Sequence, residues 1–262
     1  MKNLICVMLL SLCFAAIYAA DETVINYAKG PVKQIIIANR YINCKYVLHN
    51  TKVRREIYTY DSKGRLKDEI GYNDNKFLYR YVYQYSDSIC MKYEYGPKRI
   101  IKGNYCRMRM DSAGNRITSE TYINKKFFHA DSTVYDEYGR KIEHYEIPSQ
   151  QNTFALRFTF EYDSLGRLSK KRDFLYGGGM VICSVEYLPD GSFTEYHSDV
   201  VGQKRTFHYF VNEKGLLVEV QWENSERTVY SDFDKYGNWL KSERIRPEDG
   251  TIVVDRVIEY YE

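Results

Sequence analysis

The chain has 262 residues, of which 44% are hydrophobic and 28% charged, and its 38 Lys and Arg nearly balance 35 Asp and Glu for a formal net charge of +3. That balance gives no support for nucleic acid or an anionic membrane surface as a partner. The length suits one large all-β domain, and no linker, low-complexity stretch or composition shift divides it.

Residues 1–20 read as a signal peptide. Lys2 supplies the positive start, 4–17 the apolar run, and Ala19-Ala20 the small residues before Asp21. The run is too short for a good transmembrane helix, so no transmembrane segment is expected after cleavage. A competing reading is a lipoprotein signal at Leu10-Ser11-Leu12-Cys13, with Cys13 carrying the lipid. The bulky Leu12 before that cysteine argues against it. Either way the mature part, 21–262, is expected to be exported to the periplasm, the cell surface or the medium. Residues 24–48 fit the pattern of the remainder worst and are expected to cap it.

From residue 60 onward a short turn recurs. Its clearest copies are Tyr60-Asp61-Ser62-Lys63-Gly64-Arg65-Leu66, Tyr135-Asp136-Glu137-Tyr138-Gly139-Arg140-Lys141 and Tyr162-Asp163-Ser164-Leu165-Gly166-Arg167-Leu168. Looser copies contain Asp111 and Gly114, Gly191, Gly215, and Asp234 with Gly237, and a degraded one lies at Tyr85-Ser86-Asp87-Ser88. Asp at the first turn position can cap the backbone two residues on, and Gly at the fourth takes positive φ without steric cost. The flanks alternate as strands do, with Tyr58 and Tyr60 before one turn and Phe158, Phe160 and Tyr162 before another. Each copy is therefore predicted to be a β-hairpin tip with a glycine bulge.

A second set of polar turns falls between these tips, among them Asn73-Asp74-Asn75-Lys76, Gly96-Pro97-Lys98, residues 148–151, Gly177-Gly178-Gly179 and Gly202-Gln203-Lys204. Turns this frequent leave strands of roughly 7–10 residues, each the antiparallel neighbour of the next. The expected fold is an all-β antiparallel meander of about eight tandem hairpins with a period of about 25 residues, about sixteen strands, forming one long twisted or coiled sheet with an edge at each end.

Four cysteines follow the leader: Cys44, Cys90, Cys106 and Cys183. Cys90 and Cys106 are centred on the Gly96-Pro97-Lys98 turn, which predicts that they sit opposite each other at disulfide distance. A slip in register would undo that pairing. No CxxC or other metal-ligand spacing is present, so neither metal nor cofactor is expected.

The histidines give two His-x-Asp pairs, His129 with Asp131 and His197 with Asp199, each able to share one face of a strand. No nucleophile or third ligand is placed by spacing to complete either pair. Gly177-Gly178-Gly179 precedes no helix and is not a phosphate loop. The chain is accordingly read as a non-enzyme. Its 27 tyrosines are read first as cross-strand packing residues. Trp222, Tyr145 and Tyr196 are the aromatic candidates for stacking on a glycan or anchoring a protein partner.

The Tyr-Asp-x-x-Gly-Arg-Leu turns resemble the YD repeats of the bacterial Rhs family, closely at 60–66 and 162–168 and well at 135–141. The resemblance implies a strip of hairpins that coils as it grows. In large members such a strip forms a shell around a toxic C-terminal segment, and other members act at the cell surface or in carbohydrate association. This chain is far too short to enclose a second domain and ends in a repeat strand, so the shell role is not what is expected of it. Three functions remain open. The first is a non-enzymatic exported module for envelope structure, adhesion or glycan or protein binding. The second is an outer-membrane β-barrel for transport, which the charge on both faces of strands 66–72 and 141–147 disfavours. The third is a surface hydrolase whose site the sequence does not reveal.

Overall fold

The computed structural model describes residues 28–42, 44, 53–96, 100–147, 155–175, 178–199 and 201–262. The expected leader with Cys13, His49, Pro97, Lys98, residues 148–151 and Gly177 lie outside the described residues.

Eighteen strands lie among the described residues. In chain order they are β1 (Val32–Ile42), β2 (Val53–Tyr60), β3 (Leu66–Asn73), β4 (Lys76–Ser86), β5 (Ile89–Tyr95), β6 (Ile100–Met110), β7 (Arg116–Ile123), β8 (Lys126–Tyr135) and β9 (Lys141–Ile147). The second half comprises β10 (Ala155–Tyr162), β11 (Leu168–Phe174), β12 (Met180–Tyr187), β13 (Phe193–Ser198), β14 (Lys204–Val211), β15 (Leu217–Trp222), β16 (Arg227–Phe233), β17 (Trp239–Arg246) and β18 (Gly250–Tyr260). Each strand pairs antiparallel with the one before and the one after it, and β1 also pairs with β18.

That last ladder corrects the expected open, coiled sheet of about eight hairpins. The fold is a closed barrel of eighteen strands rather than a strip of about sixteen with two edges. β1 is no cap. It is the seam, running from Val32↔Tyr260 to Ile42↔Thr251 on one side and from Gln34↔Thr59 to Arg40↔Val53 on the other. The physical reason is the cost of edges. An open strip leaves two rows of unpaired N–H and C=O groups, and ring closure removes both. Charge on both strand faces bears on which solvent the wall meets and has no bearing on whether the ring closes.

The repeated turn is built from one carboxylate. Asp61 Oδ1 accepts the N–H groups of Lys63 and Arg65, both at 2.9 Å, while the Asp61 carbonyl accepts Gly64 N–H at 2.9 Å and Gly64 holds φ at +75°. The same arrangement recurs at Asp111, Asp136, Asp163 and Asp234 with Gly114, Gly139, Gly166 and Gly237, and at Asn212 with Gly215. Gly191 also takes positive φ and donates to the carbonyl of Leu188. A bulge follows several of these turns: Lys67 is the extra residue opposite Thr59 and Tyr60, and Ser169 the one opposite Glu161 and Tyr162. Its added twist helps curve the sheet toward closure.

Neighbouring tips are joined through the repeat's Arg and Tyr. Arg65 pairs with Asp61 and lies 4.4 Å from the ring centre of Tyr85, whose hydroxyl donates to the Leu66 carbonyl at 2.9 Å. Arg140 relates in the same way to Asp136, Tyr162 and the Lys141 carbonyl, and Arg167 to Asp163, Tyr187 and the Leu168 carbonyl. The Tyr-Asp-x-x-Gly-Arg pattern thus encodes both a turn and its attachment to the next turn. Each cation–π contact is worth about 0.5–1 kcal/mol at such exposed sites.

Ladder partners share a face, which sorts the wall into two surfaces. One carries Ile35, Ile37, Cys90, Asp131, Cys183, Phe207, Tyr209, Val220, Trp239 and Arg256, all buried. The other carries Leu78, Val134, Tyr196, Phe210 and Val257, all exposed. The first is the concave inner face, where curvature crowds the side chains. Its two apolar clusters centre on Ile35 and Ile37 at the seam and on Phe207, Tyr209 and Val220 in β14 and β15.

The inner wall as candidate functional site

The inner wall interleaves tyrosines with charged groups. On β2 to β5 it presents Glu56, Tyr58, Glu69, Tyr79, Tyr81, Tyr83 and Lys92, placed together by the pairs Tyr58↔Glu69, Glu69↔Tyr81 and Tyr83↔Lys92. Glu56 accepts the hydroxyls of Tyr58 at 3.0 Å and Tyr79 at 3.3 Å and pairs with Arg54 at 2.7 Å, and Glu69 accepts the hydroxyl of Tyr83 at 3.1 Å. The Lys92 ammonium lies 3.8 Å from the ring centre of Tyr81.

Gly71 makes this patch possible. The Tyr79 ring crosses β3 at that position to reach Glu56 on β2, and a Cβ at Gly71 would stand 2.3 Å from the ring. A glycine inside a strand marks such a close approach.

A second patch lies on β10 to β15. Lys171 Nζ sits 4.4 Å from the Phe158 ring centre, Phe193 stacks on Tyr209 at 4.2 Å, and Phe207 meets the edge of Trp222 at 6.1 Å. Among these rings lie Cys183, Glu195 and His197, whose ligand atoms fall within 4.8 Å of one another. Register explains the grouping: Cys183 pairs with His197, and Glu195 is two residues along the same strand face. Glu195 Oε2 is 3.2 Å from His197 Nε2 and accepts the Tyr209 hydroxyl at 3.0 Å. Burial pushes the Cys183 thiol up to about 12.

The expected binding aromatics do not form one surface. Trp222 faces inward, beside Phe207 and with the Arg244 guanidinium 5.1 Å from its ring. Tyr145 and Tyr196 point outward, donating to Glu143 and Glu186. The wall lies between them and Trp222.

The Cys90–Cys106 disulfide is also corrected. Both cysteines face inward and both are free. The hairpin pairs Cys90 with Met108 and Cys106 with Lys92, one residue off the expected centre, so the two lie on a diagonal. Diagonal neighbours stand roughly 7–8 Å apart, beyond disulfide reach.

Of the His-x-Asp pairs, His129 and Asp131 share the inner face on β8. Asp131 accepts the Ser119 hydroxyl at 2.6 Å and pairs with Arg116 at 3.5 Å. Asp199 instead caps a turn by accepting the N–H groups of Val201 and Gln203, and His197 takes Glu195 as its partner.

The Cys183–Glu195–His197 group escaped sequence reasoning, although a signal existed. Cys183 and His197 are equidistant from Asp190 in a repeat turn. A hairpin centred there pairs them.

The outer wall carries charge in mid-strand. Arg80 pairs with Asp68, Lys241 with Glu243 at 2.8 Å, Arg40 with Asp255 at 2.6 Å, and Arg172 with Glu161 beside Lys170. No helix among the described residues is long and apolar enough to cross a membrane.

No family model matches the chain, and no curated protein does. Among solved structures it is similar to a porin-like protein from Bacteroides uniformis, at 12% identity and a TM-score of 0.49, covering 89% of this chain and 100% of that one. It is also similar to the TcdB2-TccC3 toxin chain, at 10% identity and a TM-score of 0.30, and to the Tc holotoxin pore of Photorhabdus luminescens, at 10% and 0.26. It covers 15% and 14% of those two chains. At such scores the neighbours add nothing to what this chain's own ladder shows.

Proposed function

We propose that the protein is an exported, non-enzymatic barrel of the cell envelope whose lumen is the working compartment, admitting or holding a polar, hydroxyl-rich solute such as a glycan. The observation that carries this reading is the closed ladder, which turns the Tyr, Glu and Lys side chains of β2 to β5 and the Phe, Trp and Lys side chains of β10 to β15 into a lumen lining. Aromatic rings can stack on sugar faces while carboxylates and ammonium groups meet hydroxyls. Closure favours a lumen function of the porin kind over the expected adhesive open sheet, because a ring of this size encloses space that an open strip does not.

The outer wall sets where such a barrel sits. A lipid-facing band is apolar, and Lys or Arg at its middle costs about 2–4 kcal/mol. Arg80, Arg172 and Lys241 on the outer face favour water over lipid there, with their ion pairs solvated. A membrane-spanning transport barrel is the second reading. Its support is the edge-free antiparallel ring, the one β-architecture that crosses a bilayer.

One preparation tests both readings. Detergent-free protein is titrated with neutral oligosaccharides while Trp fluorescence is followed, and is also added to liposomes. Saturable quenching that Trp222→Phe abolishes, with no liposome conductance, is the expected result. Conductance steps after insertion support the second reading. A protein that neither binds a solute nor conducts contradicts the lumen function.

A further inference from the structure

We infer that Cys183, Glu195 and His197 form a zinc site on the inner wall, holding one Zn²⁺ through Sγ, a carboxylate oxygen and Nε2, with a fourth position open to the lumen.

The three residues bring the ligand types zinc prefers, a thiolate, an imidazole and a carboxylate. Zinc takes sulfur at about 2.3 Å and nitrogen or oxygen at about 2.0–2.2 Å, so tetrahedral ligand atoms stand roughly 3.3–3.6 Å from one another. Glu195 Oε2 and His197 Nε2 are already 3.2 Å apart, and the whole set lies within 4.8 Å. The remaining gap is on the order of 1 Å, the scale of a side-chain rotation.

The backbone under the site is firm. Cys183 and His197 are paired in the β12–β13 ladder, with Ile182↔Ser198 and Ser184↔Tyr196 on either side. Cys183 is buried while His197 and Glu195 are partly open, so the thiol forms the floor and the other two the rim. The next shell is also present. Tyr209, itself buried, donates its hydroxyl to the carboxylate oxygen that would bind the ion, the type of contact that orients a ligand and tunes the metal. Phe207 packs its edge against the His197 ring at 4.8 Å and limits its rotation. Zinc binding displaces the thiol proton to solvent, and Lys171 stands opposite Cys183 in the β11–β12 ladder. Three protein ligands leave the fourth position for water, the arrangement of open rather than purely structural zinc sites.

Cobalt substitution tests the site. The full chain is stripped with chelator, then titrated with Co²⁺ and back-titrated with Zn²⁺. The expected result is one equivalent of Co²⁺ giving a sulfur-to-metal charge-transfer band, bleached by one equivalent of Zn²⁺, and a higher Tm on zinc addition. Cys183→Ser is expected to abolish the band and Cys106→Ser to leave it intact. Tyr209→Phe, which removes only the orienting hydroxyl, is expected to weaken Zn²⁺ binding roughly 10–100-fold. His197→Gln guards against a Cys183→Ser protein that does not fold, and is expected to lose tight zinc binding while keeping the strand circular dichroism of the parent. Absence of the band in the parent, its survival in Cys183→Ser, or its loss in Cys106→Ser overturns the assignment.

Discussion

The seam strand β1 and the repeat hairpin β10–β11 occupy equivalent places in one ring and are held by opposite means. The hairpin is fastened at its tip: Asp163 caps the turn, Gly166 takes φ of +77°, and Arg167 ties the tip to Tyr187. Its strands bury little, with every side chain of β11 only partly covered. No copy of this turn adjoins β1 in the sequence. It buries Val32, Ile35 and Ile37 against Tyr58, Tyr60, Val254, Ile258 and Tyr260 and is laddered on both sides. Repetition builds hairpins, whereas ring closure depends on a strand outside the repeat whose apolar side chains both flanking strands can cover.

Breaking the seam should therefore cost more than breaking a tip. Ile35→Ala removes a side chain that is 1% exposed and is expected to destabilise by about 2–5 kcal/mol, read by chemical denaturation. A change below 0.5 kcal/mol would mean the seam contributes little. Gly71→Ala comes next. Its Cβ would displace the Tyr79 ring, breaking the Tyr79–Glu56 hydrogen bond, and a loss of about 1–3 kcal/mol is expected together with altered near-ultraviolet circular dichroism. Gly166→Val places a β-branched residue in the left-handed region and is expected to cost at least about 1–2 kcal/mol. Unchanged stability there would count against the turn geometry.

The smallest expected effect is a pH dependence. Hydrogen bonds from the Arg167 backbone N–H and then its side chain hold the Asp163 carboxyl below its ordinary value, and hydrogen bonds from the Asn115 side chain and backbone do the same for Asp111. With the folded value depressed, the stabilisation is fully present above the unfolded value of about 3.9 and is lost as pH falls through the lower folded value. Melting temperature should therefore decline below about pH 4, and less steeply in Asp163→Ala than in the parent. Parallel declines in the two proteins would remove Asp163 from the account.

The hairpins were legible in the sequence because their turns depend on local chemistry. An Asp, a Gly three residues later and an aromatic before them specify the tip without help from distant residues. Closure was not legible, since it depends on Ile35 and Ile37 meeting Tyr58 on one side and Ile258 on the other, the latter more than 200 residues away. The inner wall was half legible. Alternation marks which residues share a face within a strand, but where a hairpin is centred decides who meets whom. A centre one residue beyond position 98 sets Cys90 against Met108 and leaves Cys106 on the diagonal, whereas centring on Asp190 pairs Cys183 with His197. Gly71 carries no turn signal, and only the tyrosine lying over it reveals its purpose.

Cross-linking tests the closed ring most directly. In a chain with Cys44, Cys90, Cys106 and Cys183 replaced by serine, Ala38→Cys is combined either with Arg55→Cys on β2 or with Asp255→Cys on β18, both ladder partners of position 38. Oxidation followed by peptide mapping is expected to give an intramolecular disulfide in each pair, placing β1 between its two neighbours. A disulfide to position 55 with none to position 255 would leave the sheet open and contradict the barrel.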